Sequence, residues 1–181
     1  GEGNLQVKVV TDRLANEAWS IQAELFDSYR TLMGEGYRAS LDMMSRNLPI
    51  NILNFPTGTK CGSWTIPREW TVREAWVKDP AGNLLVDFNQ STFHIWQYST
   101  PFSGWVKHED LMAHMAIGNG NGIPLVVTYY KERFGFSISE RQKALFCHQD
   151  YEVFVDSDFR DGNLLIGEVF LPGTREDEIV I

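Results

Sequence analysis

The sequence predicts an α/β protein in which a small β-rich segment interrupts a larger layered domain. Near the N-terminus apolar residues recur every three or four positions, as they do on one face of a helix. From about Thr57 this period gives way to short Thr-, Val- and aromatic-rich runs between turn residues, and longer apolar strands return near Gly162. These changes divide the chain into residues 1–56, 57–157 and 158–181. The two outer segments are expected to belong to one parent domain.

Two helices and a strand are expected first. The apolar stripe of the first helix precedes the Gly34-Glu35-Gly36 stop and consists of Leu14, Ala18, Ile21, Leu25, Tyr29 and Leu32. A shorter stripe consists of Tyr37, Leu41, Met44 and Leu48. It ends before Pro49, because a proline disfavours helical backbone at the residue before it. The apolar run 50–55 then predicts a short strand.

The middle segment is expected to contain strands, turns and two short helices. Residues 71–78 and 84–88 flank the turn residues 79–83 and predict a hairpin. Further strands are expected over 93–98, 125–130, 134–138 and 151–155, and helices over 107–116 and 140–146. Ser139 and Gln142 have the spacing of a capping box. The chain is then expected to end in strands over 164–171 and 178–181.

Composition excludes several classes of function. A content of 43% hydrophobic and 13% aromatic residues suffices for an ordered core. The formal net charge of -8 and the scattered Lys and Arg residues argue against a nucleic-acid surface. The sequence has no apolar run of the roughly 20 residues that would span a bilayer. Cys61 and Cys147 lie far apart without a CxxC motif, so the expected location is the cytoplasm.

The histidines do not have the spacing of a metal site. His108 and His114 lie six positions apart and would face different sides of a helix. Cys147 and His148 are adjacent in sequence, whereas catalytic pairs usually come from distant segments. His94 lies in an aromatic run and is read as a half-buried histidine with its hydrogen bonds satisfied.

Two loops resemble ligand-binding motifs incompletely. Asp156, Asp158 and Asp161 begin like a calcium loop, but the twelfth position is Gly167, where that loop needs a glutamate. They are therefore expected to be solvated acids of a turn. The glycine-rich residues 118–122 follow a helix, whereas anion-binding glycine loops precede one.

Aromatic residues are concentrated in the middle segment. They are Trp64, Trp70, Trp76, Trp96, Trp105, Tyr129, Tyr130, Phe134 and Phe136. Most are expected in the core, because aromatic side chains bury large areas. Trp70 and the Tyr129-Tyr130 pair remain candidates for a ligand surface.

Five blocks of sequence in one order connect the chain to a known family. They are residues 34–38 (GEGYR), 64–76 (WTIPREWTVREAW), 128–136 (TYYKERFGF), 151–157 (YEVFVDS) and 161–173 (DGNLLIGEVFLPG). The combination resembles aminopeptidase-like proteins of the zinc-exopeptidase clan of metallopeptidases that carry an inserted domain of unknown function. The resemblance implies an incomplete zinc-exopeptidase-like α/β domain in residues 1–56 and 158–181. The inserted β-rich domain would be residues 57–157.

The resemblance also implies where the chemistry lies. The zinc ligands are expected after Ile181, so no catalytic and no metal-ligating residue is assigned in this chain. In the longer protein, two zinc ions bridged by a hydroxide, with a carboxylate base, would attack the amide next to a free amino terminus. The chain alone is therefore expected to hold no cofactor and to be inactive.

The predicted function is the N-terminal portion of a zinc-dependent aminopeptidase-like hydrolase, with the inserted domain as a lid or specificity element. Its substrate would be a peptide or an aminoacyl compound. Trp70, His94, Tyr129 and Tyr130 are the predicted substrate-facing residues, because each combines an apolar face with a hydrogen-bonding tip. An exposed apolar sheet edge further predicts self-association or a partner chain. The alternative is a non-catalytic module that binds a peptide, a glycan or a protein.

Overall fold

The computed structural model describes residues 2–175, with side chains from Thr11 onward. Within this range helices and sheets are mixed, which confirms the predicted α/β class. The chain forms two compact units, described separately below. The middle unit is Thr57–Gly162, and the outer unit combines the residues before and after it. The predicted second boundary, residue 157, falls inside a strand that continues to Arg160.

The elements follow one another along the chain with these bounds: α1 (Glu2–Phe26), α2 (Glu35–Ser45), β1 (Asn51–Pro56), β2 (Lys60–Cys61), β3 (Trp64–Thr65), β4 (Glu69–Lys78), β5 (Leu84–Asp87), a 3₁₀ turn (Thr92–His94), β6 (Phe102–Lys107), α3 (His108–Ala113), β7 (Met115–Ile117), β8 (Phe136–Ile138), α4 (Glu140–Lys143), β9 (Asp150–Arg160) and β10 (Asn163–Glu168). The predicted strand over 178–181 lies outside the described residues.

The outer unit consists of α1, α2 and the antiparallel pair β1–β10. Asn51 stands opposite Glu168 at the end of this pair, and its amide donates a hydrogen bond of 2.7 Å to the Glu168 carboxylate. A Cβ at Gly167 would lie only 2.9 Å from Cδ2 of the buried Leu41, so α2 packs closely on β10 there. Helix α1 ends before the predicted Tyr29, and its Trp19 is 71% exposed.

The middle unit contains an antiparallel four-stranded sheet in the order β5-β4-β9-β6. Strands β4 and β9 form its centre, and their register shifts at a bulge between Val72 and Glu74. Side chains alternate between the two faces of a strand. One face is buried and carries Ala75, Val77, Val86, Tyr151, Val153 and Val155. This face is the core of the unit.

The segments 93–98 and 125–130 are not the predicted strands. The first forms the 3₁₀ turn and then irregular backbone, which touches the second through an isolated bridge between Gln97 and Val127. Tyr98 has a φ of 71°, in the left-handed region, and such a residue interrupts an extended strand. A short run of large apolar residues occurs both in buried strands and in buried irregular segments. The sequence pattern alone therefore did not distinguish the two kinds of backbone here.

The two short helices are shorter than predicted. Lys107 belongs to the edge strand β6 and Met115 pairs in parallel with Phe136, so α3 is confined to six residues between them. Helix α4 has the predicted capping box. Ser139 Oγ accepts a bond from the Gln142 amide at 3.3 Å, and Gln142 Oε1 accepts one from the Ser139 amide at 3.0 Å.

Candidate functional site

The middle unit presents an aromatic surface, which we define as Trp64, Tyr129 and Tyr130. Tyr130 is 72% exposed and Tyr129 is 39% exposed. Their rings are nearly perpendicular, with centroids 5.5 Å apart and an interplanar angle of 88°. Trp64 meets Tyr129 edge-on at 6.0 Å. A ligand would therefore meet the exposed parts of two tyrosine rings, each of which carries a phenol hydroxyl.

A buried layer beneath this surface holds it in place. Tyr98 contacts Tyr129 edge-on at 6.1 Å and stacks on the buried Trp70 at 6.0 Å. The Tyr98 hydroxyl donates a 2.8 Å hydrogen bond to the Arg68 carbonyl. Burial raises the pKa of this hydroxyl well above its usual value, and the nearby charge of Glu69 adds to the effect. The hydroxyl therefore stays protonated and keeps its role as donor.

The backbone at Ser99 joins several segments of this layer. Its carbonyl accepts hydrogen bonds from Trp70 Nε1 at 2.8 Å and from Ser157 Oγ at 2.7 Å. Its hydroxyl donates to the Trp96 carbonyl at 2.7 Å and accepts from the Gly135 amide at 3.2 Å. These bonds stabilise the left-handed Tyr98 next to it, since a strained residue persists only where its surroundings over-determine it.

Trp64 has a buried polar atom, its indole Nε1. Among the described residues, its Nε1 has no hydrogen-bond partner although the atom is shielded from solvent. A buried donor without a partner costs free energy.

The four predicted substrate-facing residues fall into two pairs. Trp70 is 1% exposed and His94 is 3% exposed, so neither side chain lies at the surface of the unit. Their polar atoms bond internally, since Trp70 Nε1 donates to a carbonyl and His94 Nδ1 lies 2.7 Å from the Ser137 carbonyl. These two side chains support the unit from inside. A substrate-facing role for the exposed Tyr129 and Tyr130 stays a prediction.

The described residues contain no group of three or more His, Cys, Asp or Glu side chains placed to hold a metal ion. His114 stacks on Phe134 with centroids 4.4 Å apart, and its Nδ1 lies 2.6 Å from the Phe134 carbonyl. The exposed Cys147 has its sulfur 3.9 Å from His148 Nδ1, which is a long contact between sequence neighbours.

The acidic residues Asp156 and Asp158 are not the predicted acids of a turn, because both lie on strand β9. Arg73 on β4 donates from Nε to Asp156 at 2.8 Å and from Nη1 to Asp158 at 2.5 Å. This guanidinium holds the pKa of the Asp156 carboxyl below its usual value. The period-two alternation of residues 151–157 was the signal that the strand runs through them.

Comparisons with known proteins relate most of the chain to parts of larger proteins. Residues 69–158 match a family model described as "Domain of unknown function (DUF2172)". A Clostridium acetobutylicum protein named "Putative polysaccharide biosynthesis protein with aminopeptidase-like domain" is 34% identical over 91% of this chain and 38% of its own length. A crystal structure described as a "putative peptidase" from the same organism is 32% identical, with a TM-score of 0.77 over 86% of this chain and 37% of that one.

These comparisons confirm a peptidase-like relative, while the zinc-exopeptidase clan and the insertion stay predictions. None of the helices within residues 2–175 combines the length and apolar content needed to cross a membrane. The chain spans somewhat more than a third of each of these two relatives, and over most of its own length it is related to peptidase-like proteins.

Proposed function

We propose that the chain is the N-terminal part of an aminopeptidase-like hydrolase whose substrate is a peptide or an aminoacyl compound. The support is the similarity over 91% of the chain to a protein named for an aminopeptidase-like domain, together with a relative of known structure described as a "putative peptidase". The middle unit would act as a lid or specificity element of that hydrolase. A cytoplasmic location is part of the proposal, since Cys61 and Cys147 are both free and exposed.

The aromatic surface is the observation that carries the specificity role. Exposed tyrosines on a rigid support offer apolar contact area and a hydrogen-bonding tip at little cost in conformational entropy. Tyr129 and Tyr130 have this arrangement, because the buried stack of Tyr98 and Trp70 fixes the first of them from below. They would contact the side chain of the bound substrate.

Zinc would supply the hydrolytic chemistry of the longer protein by activating a water molecule. The described residues do not fit such a site, because no three metal-ligating side chains converge among them. The proposal therefore places the zinc ligands outside residues 2–175 and assigns this chain no catalytic residue. It also predicts that the chain alone is inactive.

The test is the double variant Tyr129→Ala/Tyr130→Ala in the full-length protein. We expect KM for aminoacyl p-nitroanilides to rise about 3- to 10-fold with little change in kcat, as for the loss of an aromatic contact worth about 0.5–1.5 kcal/mol. The variant Tyr129→Phe/Tyr130→Phe is the matched control, since it keeps the rings and removes only the hydroxyls. Unchanged kinetics in the alanine variant would refute the specificity role.

The outer unit supports association with further protein. Its two-stranded sheet is too small to be stable by itself. Ile52 and Ile166 on this sheet are 40% and 45% exposed, and Phe170 and Leu171 after it are 69% and 78% exposed. We expect the isolated chain to self-associate or to bind a partner chain through these residues. Sedimentation velocity that shows only monomer at high concentration would contradict this.

A non-catalytic binding module is the second candidate, and the exposed rings of Tyr129 and Tyr130 favour it. Exposed aromatic rings suit contact with a sugar ring, and the name of the Clostridium acetobutylicum relative includes polysaccharide biosynthesis. Assays of the full-length protein distinguish the two candidate functions. Hydrolysis of an aminoacyl chromogenic substrate with stoichiometric zinc supports the hydrolase, and glycan binding without hydrolysis supports the module.

A further inference from the structure

Strand β6 forms one edge of the four-stranded sheet in the middle unit. It pairs with β9 from Phe102 opposite Val155 to Lys107 opposite Asp150. On its other side no strand of the described chain is paired with it. An edge strand exposes backbone donors and acceptors in a regular row.

The alternation of backbone hydrogen bonds between β6 and β9 shows which backbone groups of β6 point away from the sheet. The His108 amide donates to the Gln149 carbonyl at 2.7 Å, which continues the register of β6 with β9. In an antiparallel pair, bonded and non-bonded positions alternate. Val106, Gly104 and Phe102 therefore bond to β9.

The backbone groups of Ser103 and Trp105 point away from β9 by the same alternation. Among the described residues, no backbone hydrogen bond joins either residue to a segment outside the sheet. The Lys107 amide also points outward, while its carbonyl lies at the start of α3. The open edge thus offers three donors and two acceptors over five residues.

The side chains beside this open edge are accessible. Ser103 and Lys107 are exposed, and Trp105 is 59% exposed, which is unusual for an indole on a sheet. Glu152 stands opposite Trp105 on β9, and Asp150 stands opposite Lys107. The charges flanking the indole are therefore mixed in sign, so they favour neither an acidic nor a basic partner.

We propose that this edge binds a short extended peptide as a fifth strand of the sheet. A repeating row of backbone donors and acceptors is complementary to another extended backbone, and the exposed indole provides an anchor for an apolar side chain of that peptide. Pro101 before the strand and the helix after Lys107 limit the pairing to a short stretch. The inference does not depend on the peptidase-like proposal, because the edge strand and the aromatic surface have no residue in common.

The probe is a fluorescein-labelled nine-residue peptide of alternating Thr and Val, acetylated and amidated so that no free amino terminus is present. Binding to the full 181-residue chain is measured by fluorescence anisotropy. We expect saturable binding that Ser103→Pro weakens at least about 10-fold, because the substitution removes an outward donor while leaving the bonds to β9. Trp105→Ala should weaken it about 3- to 10-fold through loss of the indole anchor.

N-methylated peptides provide a control that does not depend on the folding of any variant. A peptide of the same sequence that is methylated at every backbone amide keeps its side chains and loses every donor, whichever of its edges faces β6. We therefore expect it to lose binding. Binding of this peptide equal to that of the unmethylated one would overturn the proposal.

Two further outcomes would also overturn it. Loss of binding in Tyr130→Ala, with Trp105→Ala unchanged, would place the peptide on the aromatic surface. A dimer of the chain that Ser103→Pro converts to monomer, with no peptide bound by the wild type, would show that a second copy occupies the edge.

Discussion

Gly135 lies where no larger residue fits, and Gly135→Ala tests the packing of the middle unit. A Cβ at this position would lie 2.1 Å from Cε3 and 2.3 Å from Cδ2 of Trp96. The two backbones cannot separate freely, because the Trp96 amide donates to the Gly135 carbonyl at 2.9 Å. The indole must therefore leave its place.

The cost follows from what holds that indole. Trp96 is 5% exposed, its Nε1 donates to Ser137 Oγ at 3.1 Å, and the guanidinium carbon of Arg133 lies 4.7 Å from its ring centroid. Forcing extra volume into a packed core costs about 1–3 kcal/mol. Loss of the hydrogen bond adds about 1 kcal/mol and loss of the cation–π contact about 0.5–1 kcal/mol. We expect the free energy of unfolding to fall by about 2.5–5 kcal/mol.

Urea unfolding followed by tryptophan fluorescence measures this change. Gly122→Ala is the matched control, since its Cβ would meet only the Asn119 carbonyl oxygen at 3.3 Å, and we expect a change below about 1 kcal/mol. In the Trp96→Leu background the alanine should cost at least about 1.5 kcal/mol less, because the shorter side chain leaves room. A Gly135→Ala protein within about 0.5 kcal/mol of wild type would refute the reasoning.

Three other predictions concern hydrogen bonds and charge. Trp70→Phe should lower the free energy of unfolding by about 1–2 kcal/mol through loss of the bond to the Ser99 carbonyl, and a urea midpoint equal to wild type would contradict this. The Asn83 side chain and nearby amides lower the pKa of Asp79 from 3.8, so this group's stabilisation is present above about pH 4 and is lost as pH falls through the folded pKa. Asp79→Asn should therefore flatten the acid decline of Tm, and parallel profiles would rule this out. In Arg73→Met, NMR titration should show the pKa of the Asp156 carboxyl rising toward the usual value. An unchanged pKa would show that the Arg73 guanidinium does not cause the lowered value.

Regular elements with a strong period were predictable from the sequence. The capping box at Ser139, the hairpin of β4 and β5 and the helix before Pro49 depend on residues close together in the chain, so local pattern sufficed. The segment around Tyr98 was not predictable in this way. Its backbone is held by bonds from β4, β9 and the loop before β8, and those partners come together only in the folded unit.

The candidate site was also predictable from the sequence only in part. Residue type identified Trp70, His94, Tyr129 and Tyr130 as aromatic or imidazole groups with a polar tip. Residue type does not state which of them are buried, since all four suit a core and a ligand surface equally well. Burial separated the first two from the last two.

The sequence by itself determined the fold class, the acidic charge and the resemblance to aminopeptidase-like proteins, because composition, local period and ordered motifs are properties of the linear chain. Only the tertiary structure decided the left-handed backbone at Tyr98 and the pairing of Arg73 with acids of β9. It also decided that the backbone groups of Ser103 and Trp105 on β6 point away from β9. The physical reason is that each depends on contacts between residues distant in sequence, and register and burial exist only once the strands have paired.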